Sequence, residues 1–224
     1  MSPNNVSRRD LAMMIDHAFL RPEATRRDLL AACKLVRKYQ VGCICVRPCD
    51  VAEAAELLHG TGVKVGTVVG FPYGCAVTPI KAAEAARAIA DGADELDMVV
   101  NIGRLIAGDT DFVREDIAAV VAAAAGRTVK AILECGCLNR DQMAAGCDAA
   151  LAAGAHFVKT STGTGPSGAK VDDVRFLRSR VGDKAGVKAA GGMRTLADAM
   201  AMIEAGANRI GTSSTAAMLD AMTE

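Results

Sequence analysis

The chain has 224 residues, with 26 Lys or Arg balanced by 26 Asp or Glu, so its formal net charge is zero. Hydrophobic residues make up 51% and charged residues 23%, which supports a sizeable core and excludes global disorder. Balanced charge argues against a nucleic-acid or anionic-membrane surface, and 3% aromatics with no Trp remove the usual base-stacking platforms.

The N-terminal MSPNNVSRRD places Asp10 where a signal peptide needs an apolar run. The longest greasy stretch, residues 117–125, is far too short to span a bilayer. These features predict a soluble cytoplasmic protein with no membrane partner. In chain order, apolar runs of strand length alternate with longer amphipathic segments. A strand is expected over 13–17, a helix over 25–39, a strand over 43–47 and a helix over 51–58. A strand over 63–70, a helix over 78–90, a strand over 95–100 and a helix over 111–125 follow. Next come a strand over 129–134, a helix over 140–153, a strand over 156–160 and a helix over 172–181. The chain closes with a strand over 186–190, a helix over 195–205, a strand over 209–212 and a helix from about 215 to 222.

Punctuation supports this alternation. Thr25 can cap the first of these helices, with Asp28 three residues on. The phrases DGADEL, AGAHFV and AGANRI each end a helix with Gly and enter a strand within a few residues. Eight βα units in 224 residues average about 28 residues each, which fits an α/β fold of the TIM (βα)8 barrel type. An open doubly wound sheet is the alternative, and the unbroken pattern favours closure. No linker or low-complexity stretch divides the chain, so residues 1–224 are expected to form one barrel domain.

Buried parallel strands should be nearly continuous hydrophobic runs. Here charges interrupt them toward their C-terminal ends, at Asp16, His17, Asp97, Glu134, Lys159 and Lys188. That end of a TIM barrel is the active-site face. Lys159 and Lys188 stand about one βα unit apart and should project from adjacent strands at similar heights. Two ammonium groups together in a partly dry pocket disfavour each other's protonation, which frees a neutral amine for attack on a carbonyl. The competing expectation is a structural ion pair with Glu134 or Asp16. Gly191-Gly192 and the GTSS segment ending in Ser213-Ser214 follow the seventh and eighth strands, the usual place for a phosphate. Both also suit ordinary turns and a helix N-cap.

Other motifs carry less. Residues 163–168 fit G-x-G-x-x-G, but the next strand carries Lys188 where a dinucleotide site needs an acid, and Pro166 sits inside the turn. Eight cysteines include the C-x-C pairs 43/45 and 135/137, on strands or strand ends. Without C-x-x-C spacing or a nearby His, buried core thiols are expected rather than a metal site. His17, His59 and His156 are scattered, and no G-x-S-x-G nucleophile elbow occurs.

These segments together resemble the deoxyribose-phosphate aldolases, class I enzymes on a TIM barrel. The resemblance runs from IDHAFLRPEAT (15–25) through CVRP (45–48), VGFPYG (69–74), KAAEAARAIADGADELDMVVNIG (81–103), FVKTSTG (157–163) and VKAAGGMRT (187–195) to RIGTSS (209–214). It implies Lys159 as the Schiff-base lysine, Lys188 as its tuning and proton-transferring partner, and Asp97 as proton donor and acceptor. It implies phosphate contacts at Gly163, Gly191, Gly192, Ser213 and Ser214. Asp16, Cys45 and Thr160, inside the matching segments, are placed with the substrate-binding residues. The implied reaction is reversible cleavage of 2-deoxy-D-ribose 5-phosphate to D-glyceraldehyde 3-phosphate and acetaldehyde. It would use no cofactor and no metal, its only covalent helper being the Schiff base on Lys159. The partners expected are a small phosphorylated sugar and further copies of the chain in a homodimer or homotetramer, with no nucleic acid. Three departures stand out: Ala18 where the family commonly has Thr, Arg47 where CVNP is common, and a short tail without an aromatic. Arg47 at the mouth of the second strand could add an anion contact or narrow the pocket. Two alternatives remain: a Schiff-base barrel for another phosphorylated aldehyde or ketose, and a non-catalytic phosphometabolite-binding barrel.

Overall fold

The structure, a computed structural model, describes residues 6–222. Eight strands form one closed parallel barrel in sequential order, β1 pairing with both β2 and β8. They are β1 (Ile15–Phe19), β2 (Cys43–Val46), β3 (Lys64–Val69), β4 (Glu95–Val99), β5 (Thr128–Ile132), β6 (Phe157–Lys159), β7 (Gly186–Ala190) and β8 (Arg209–Thr212). The helices are α1 (Arg8–Met14), α2 (Arg26–Tyr39), α3 (Val51–Leu58), α4 (Thr78–Ala90), α5 (Ile102–Ile106), α6 (Thr110–Ala123), α7 (Arg140–Ala152), α8 (Val171–Val181), α9 (Leu196–Glu204) and α10 (Thr215–Asp220). The TIM barrel read from the alternating pattern is the observed fold. Among the described residues, no helix is long and apolar enough to cross a membrane.

Local chemistry sets the element ends. Thr25 and Asp28 form a reciprocal capping box on α2, as Thr195 and Asp198 do on α9. Gly92, Gly154 and Gly206 take left-handed backbone after α4, α7 and α9, where a side chain would be strained. Each strand then alternates strictly. Outward residues such as Ile44, Leu96, Met98, Val129, Val158, Val187 and Ile210 pack into the apolar layer under the helices. Burial of that layer supplies the main driving force, roughly 25 cal/mol for each Å² of apolar surface removed from water.

Four expectations need correction. The first strand begins at Ile15, not Met13, because Ser7 and Asp10 cap a preceding helix, α1, that runs through Met14. Strand five ends at Ile132, so Glu134 falls in the following turn with left-handed backbone (φ 59°). A five-residue helix, α5, follows β4 with Asn101 accepting from the Arg104 N–H, in a segment expected to be loop. Cys135 and Cys137 lie in a single 3-10 turn, one buried and one exposed, so they share no face. Cys43 and Cys45 do share the barrel interior, and all eight thiols are unpaired.

Candidate active site

The inward-facing residues are where this barrel departs from an apolar filling. Instead of layers of Val, Ile and Leu, the inner positions carry Asp16 on β1, Glu95 and Asp97 on β4, Lys130 on β5, Lys159 on β6, Lys188 on β7 and Arg209 on β8. Small neighbours make room for them. A Cβ at Gly66 would sit 3.0 Å from the Cys43 sulfur, and one at Gly211 would sit 3.2 Å from Lys188 Cε.

The register places Lys159 directly opposite Lys188, and Asp97 opposite Lys130. Asp97 Oδ2 accepts from Lys159 Nζ at 2.6 Å and from Lys188 Nζ at 2.7 Å, while Oδ1 accepts from Lys130 Nζ at 2.9 Å. Asp16 Oδ2 accepts from Lys188 at 2.5 Å and Lys130 at 2.9 Å. Asp16 Oδ1 accepts from Arg209 at 2.5 Å, and Arg209 also reaches Glu95 Oε1 at 2.6 Å. Lys130 completes the network with an ion pair to Glu95 Oε2 at 2.7 Å.

The three lysines of this network differ in what each amine touches. Lys130 meets three carboxylates, Lys188 two and Lys159 one. Burial lowers the proton affinity of each. For Lys159 burial, reinforced by the Lys188 charge, outweighs Asp97, and its pKa lies below the ordinary lysine value. For Lys188 and Lys130 the attraction of Asp16 and Asp97 overcomes burial, and both are raised. Burial also opposes the Asp97 carboxylate, but the lysines overcome it and hold it well below the usual range. The expectation of mutual lysine repulsion thus needs correcting: only Lys159 is lowered, and desolvation is the larger cause.

A cavity of about 810 Å³ opens at the C-terminal ends of the strands. Its walls include Asp16, Cys45, Lys159, Lys188, Gly163, Gly191, Gly192, Ser213 and Ser214. Asp97 lies beneath the two lysines and does not line it. Thr160 is not brought to the cavity: its hydroxyl accepts from the Ala190 N–H (3.1 Å) and donates to the Ala190 carbonyl (3.3 Å), joining the ends of β6 and β7. Burial pushes the Cys45 thiol up to about 11, so it stays protonated at neutral pH. His17, also on the wall, bonds Thr215 Oγ1 through Nδ1 at 2.9 Å, and burial lowers its pKa to about 4.

The rim depends on glycine. Gly163, Gly191 and Gly192 all have φ near +90°, and a Cβ at Gly168 would lie 2.3 Å from the Gly191 carbonyl oxygen. Glu134 pairs with neither lysine. Its Oε2 accepts from the Thr162 N–H (3.2 Å) and hydroxyl (2.5 Å), and a Cβ at Gly165 would meet its carboxyl carbon at 2.7 Å. It therefore pins the loop of residues 163–168. Ser214 precedes α10 without a side-chain capping bond. Arg47 does not line the cavity, against the expectation of an anion contact there. Its guanidinium binds Asp50 at 2.6 Å and the carbonyls of Arg21 and Pro22, fastening the β1–α2 loop.

Lys130, Glu95 and Arg209 were not singled out from the sequence. The usable signal was parity: each stands an even number of residues from an inward-facing neighbour on its own strand. Asp16, Cys43 and Glu95 offer ligand atoms within 4.8 Å of one another, yet Lys130 and Arg209 already occupy the carboxylates. Burial raises the Cys43 thiol well above its ordinary range, which suits no metal ligand.

This arrangement presents an amine of lowered basicity at the floor of a polar-rimmed cavity, next to a protonated amine and a shared carboxylate. The model of the DeoC/LacD family aldolases matches residues 11–219. A deoxyribose-phosphate aldolase of Thermococcus gammatolerans is 51% identical over 209 residues, covering 92% of this chain and 93% of that protein. One from Streptococcus mutans is 49% identical over 199 residues, covering 89% of this chain and 90% of its own. The solved deoxyribose phosphate aldolase of Aeropyrum pernix, described as tetrameric, superposes with a TM-score of 0.90 at 34% identity, over 96% of this chain and 91% of that one. The chain belongs to the DeoC/LacD family of aldolases.

Proposed function

We propose that this chain is a deoxyribose-phosphate aldolase that cleaves 2-deoxy-D-ribose 5-phosphate through a Schiff base on Lys159. The observation that carries the proposal is Lys159 itself, a buried lysine that lines the cavity and is held by a single carboxylate. The Lys159 amine attacks the aldehyde carbon of the open-chain sugar. Lys188 gives its proton to the departing hydroxyl, water leaves, and a cationic imine remains. Lys188, now neutral, takes the proton of the 3-hydroxyl. The C2–C3 bond breaks, its electron pair flows to the imine nitrogen, and glyceraldehyde 3-phosphate departs. Lys188, hydrogen-bonded to Asp97, returns the proton to C2 of the enamine. Water then adds to the imine carbon, acetaldehyde leaves, and the proton set free returns to Lys188 as Lys159 regains its neutral amine. Throughout, one positive charge moves between Lys188 and Lys159, so the total charge of the buried network stays constant. That constancy suits a dry site, where an unbalanced charge is costly.

The phosphate would sit against Gly163, Gly191, Gly192, Ser213 and Ser214, where glycine lets the backbone approach an anion closely. The electrophile is built from the protein's own amine, so the proposed reaction needs no cofactor. Names and coverage of the relatives support this substrate, and the tetrameric relative supports a homodimer or homotetramer. Eight unpaired thiols fit a reducing, cytoplasmic setting, and one closed barrel of eight consecutive strands supports a single working domain. The test is acetaldehyde release from a panel of phosphosugars by the wild type and Lys159→Met. Release from 2-deoxyribose 5-phosphate, lost in the variant, is expected. Preference for another phosphosugar would replace the substrate, and full turnover by Lys159→Met would overturn the mechanism.

A further inference from the structure

We infer that Arg209 and Glu95, at the closed end of the barrel, are positioning residues that decide whether the Lys159 amine carries a proton. Neither lines the cavity, so neither meets the substrate. Both begin their strands, β8 and β4, on the side away from the active face. The inference deepens the Schiff-base reading above and rests on it for its functional meaning, though not for its test.

The buried network holds three carboxylates, Asp16, Glu95 and Asp97, against four bases, Lys130, Lys159, Lys188 and Arg209. With every group ionised, one positive charge is in excess, in surroundings that solvate it poorly. Lys64 adds nothing decisive: it reaches Glu95 from the outside and is half exposed, so water screens it. The excess is relieved when one base is neutral. Arg209 cannot give up its proton. Lys130 and Lys188 each bridge two or more carboxylates, which leaves Lys159. Arg209 is therefore the fixed charge that creates the surplus, and Glu95 limits it.

The route is continuous. Arg209 grips Asp16 and Glu95, which hold Lys130 and Lys188, and these meet Lys159 at Asp97. The groups facing Lys159 directly are Asp97 on β4, Lys188 on β7 and Cys45 on β2, the last an uncharged thiol at neutral pH. Those facing Arg209 are Asp16 on β1, Glu95 on β4 and Cys43 on β2. Removing the Arg209 charge leaves three bases for three carboxylates, and Lys159 can then keep its proton. Removing the Glu95 charge widens the surplus, and Lys159 should lose its proton more readily. Two substitutions at one remote place thus have opposite signs at the same amine.

The experiment is competitive labelling with acetic anhydride across pH 5 to 11, on the full-length wild type, Arg209→Met, Arg209→Lys and Glu95→Gln. Mass mapping reads the acetylated fraction at Lys159 against exposed lysines of the same sample. Relative to wild type, the midpoint for Lys159 should rise by about one pH unit in Arg209→Met and fall by a similar amount in Glu95→Gln. It should stay in place in Arg209→Lys, which keeps the charge. Thermal melts of the same samples separate loss of fold from loss of charge. Should Arg209→Met fail to fold, Glu95→Gln carries the test with its opposite sign. Lower melting points with an unmoved midpoint, or shifts of the same sign in both neutral variants, would overturn the inference. Because labelling needs no turnover, a wild type that forms no borohydride-stable adduct refutes the Schiff-base reading and leaves this result to stand or fall separately.

Discussion

At the scale of single residues, chemistry here follows from how many carboxylates an amine meets. Asp97 holds Lys159, Lys188 and Lys130 together, with every contact at 2.9 Å or less. Asp97→Asn removes one of the two carboxylate charges that favour the Lys188 ammonium, and replaces one of two lysine-accepting oxygens with an amide NH2 group that cannot accept. Turnover should fall roughly 10² to 10⁴-fold, the usual scale for losing acid–base assistance. Steady-state kinetics at pH 7.5 checks this, and wild-type turnover in the variant would count against a shared proton path. Lys159, Lys188 and Asp97 were legible in the sequence because a charge late in an apolar strand has few places to go. Glu95 and Arg209 were not, because the first residue of a strand ordinarily faces solvent. Lys130 was hidden between Val129 and Ala131, where a long side chain passes for one lying along the surface. Thr160 and Arg47 were misplaced for a related reason: a polar group beside a site can equally serve the backbone, and both do.

At the scale of elements, the rim is two loops pressed together, with Gly163, Gly168 and the Ala169 N–H all meeting the Ala190–Gly191 backbone and Gly168 the tightest of these. Gly168→Ala would drive a methyl group into the Gly191 carbonyl, at 2.3 Å, without requiring forbidden backbone. The loops must separate, and the proposed phosphate seat separates with them. KM should rise by about tenfold or more with a smaller change in kcat, the pattern of lost ground-state binding. An unchanged KM would remove these loops from the substrate site. The eight strands and most helices were legible because βα units repeat with glycine stops and acid-paired caps. The exceptions are short or abutting elements. Helix α1 runs straight into β1 with no glycine between them, so Met13 and Met14 merge with the strand. Helix α5 has five residues, too few for helical periodicity to register.

At the scale of the whole molecule, a closed barrel filled with paired charges should respond to pH in a set direction. The Asp16, Asp97 and Glu95 pKa values are depressed: burial opposes their charge, and the surrounding cations more than compensate. Such groups stabilise the fold above their unfolded values, near 4, and the contribution is lost as pH falls through the folded values. His17 acts earlier. Its pKa is lowered to about 4, so the unfolded chain binds its proton first and stability declines from about pH 6.5 downward. Melting temperature should therefore fall in two stages on acidification, one between pH 6.5 and 4 and a steeper one below. His17→Gln should abolish the first alone. A single transition in the wild type, or an unaltered first stage in the variant, would contradict this. Added salt should shift the melting point little at pH 7, since buried pairs are poorly screened.

The most direct measurement is borohydride reduction of the wild-type enzyme incubated with 2-deoxyribose 5-phosphate, followed by peptide mapping. The expected product is a reduced N-ethyl adduct, formed from the acetaldehyde imine, on the Lys159 peptide and on no other. An adduct on Lys188 or Lys130, or an unmodified protein after demonstrable turnover, would contradict the proposed role of Lys159.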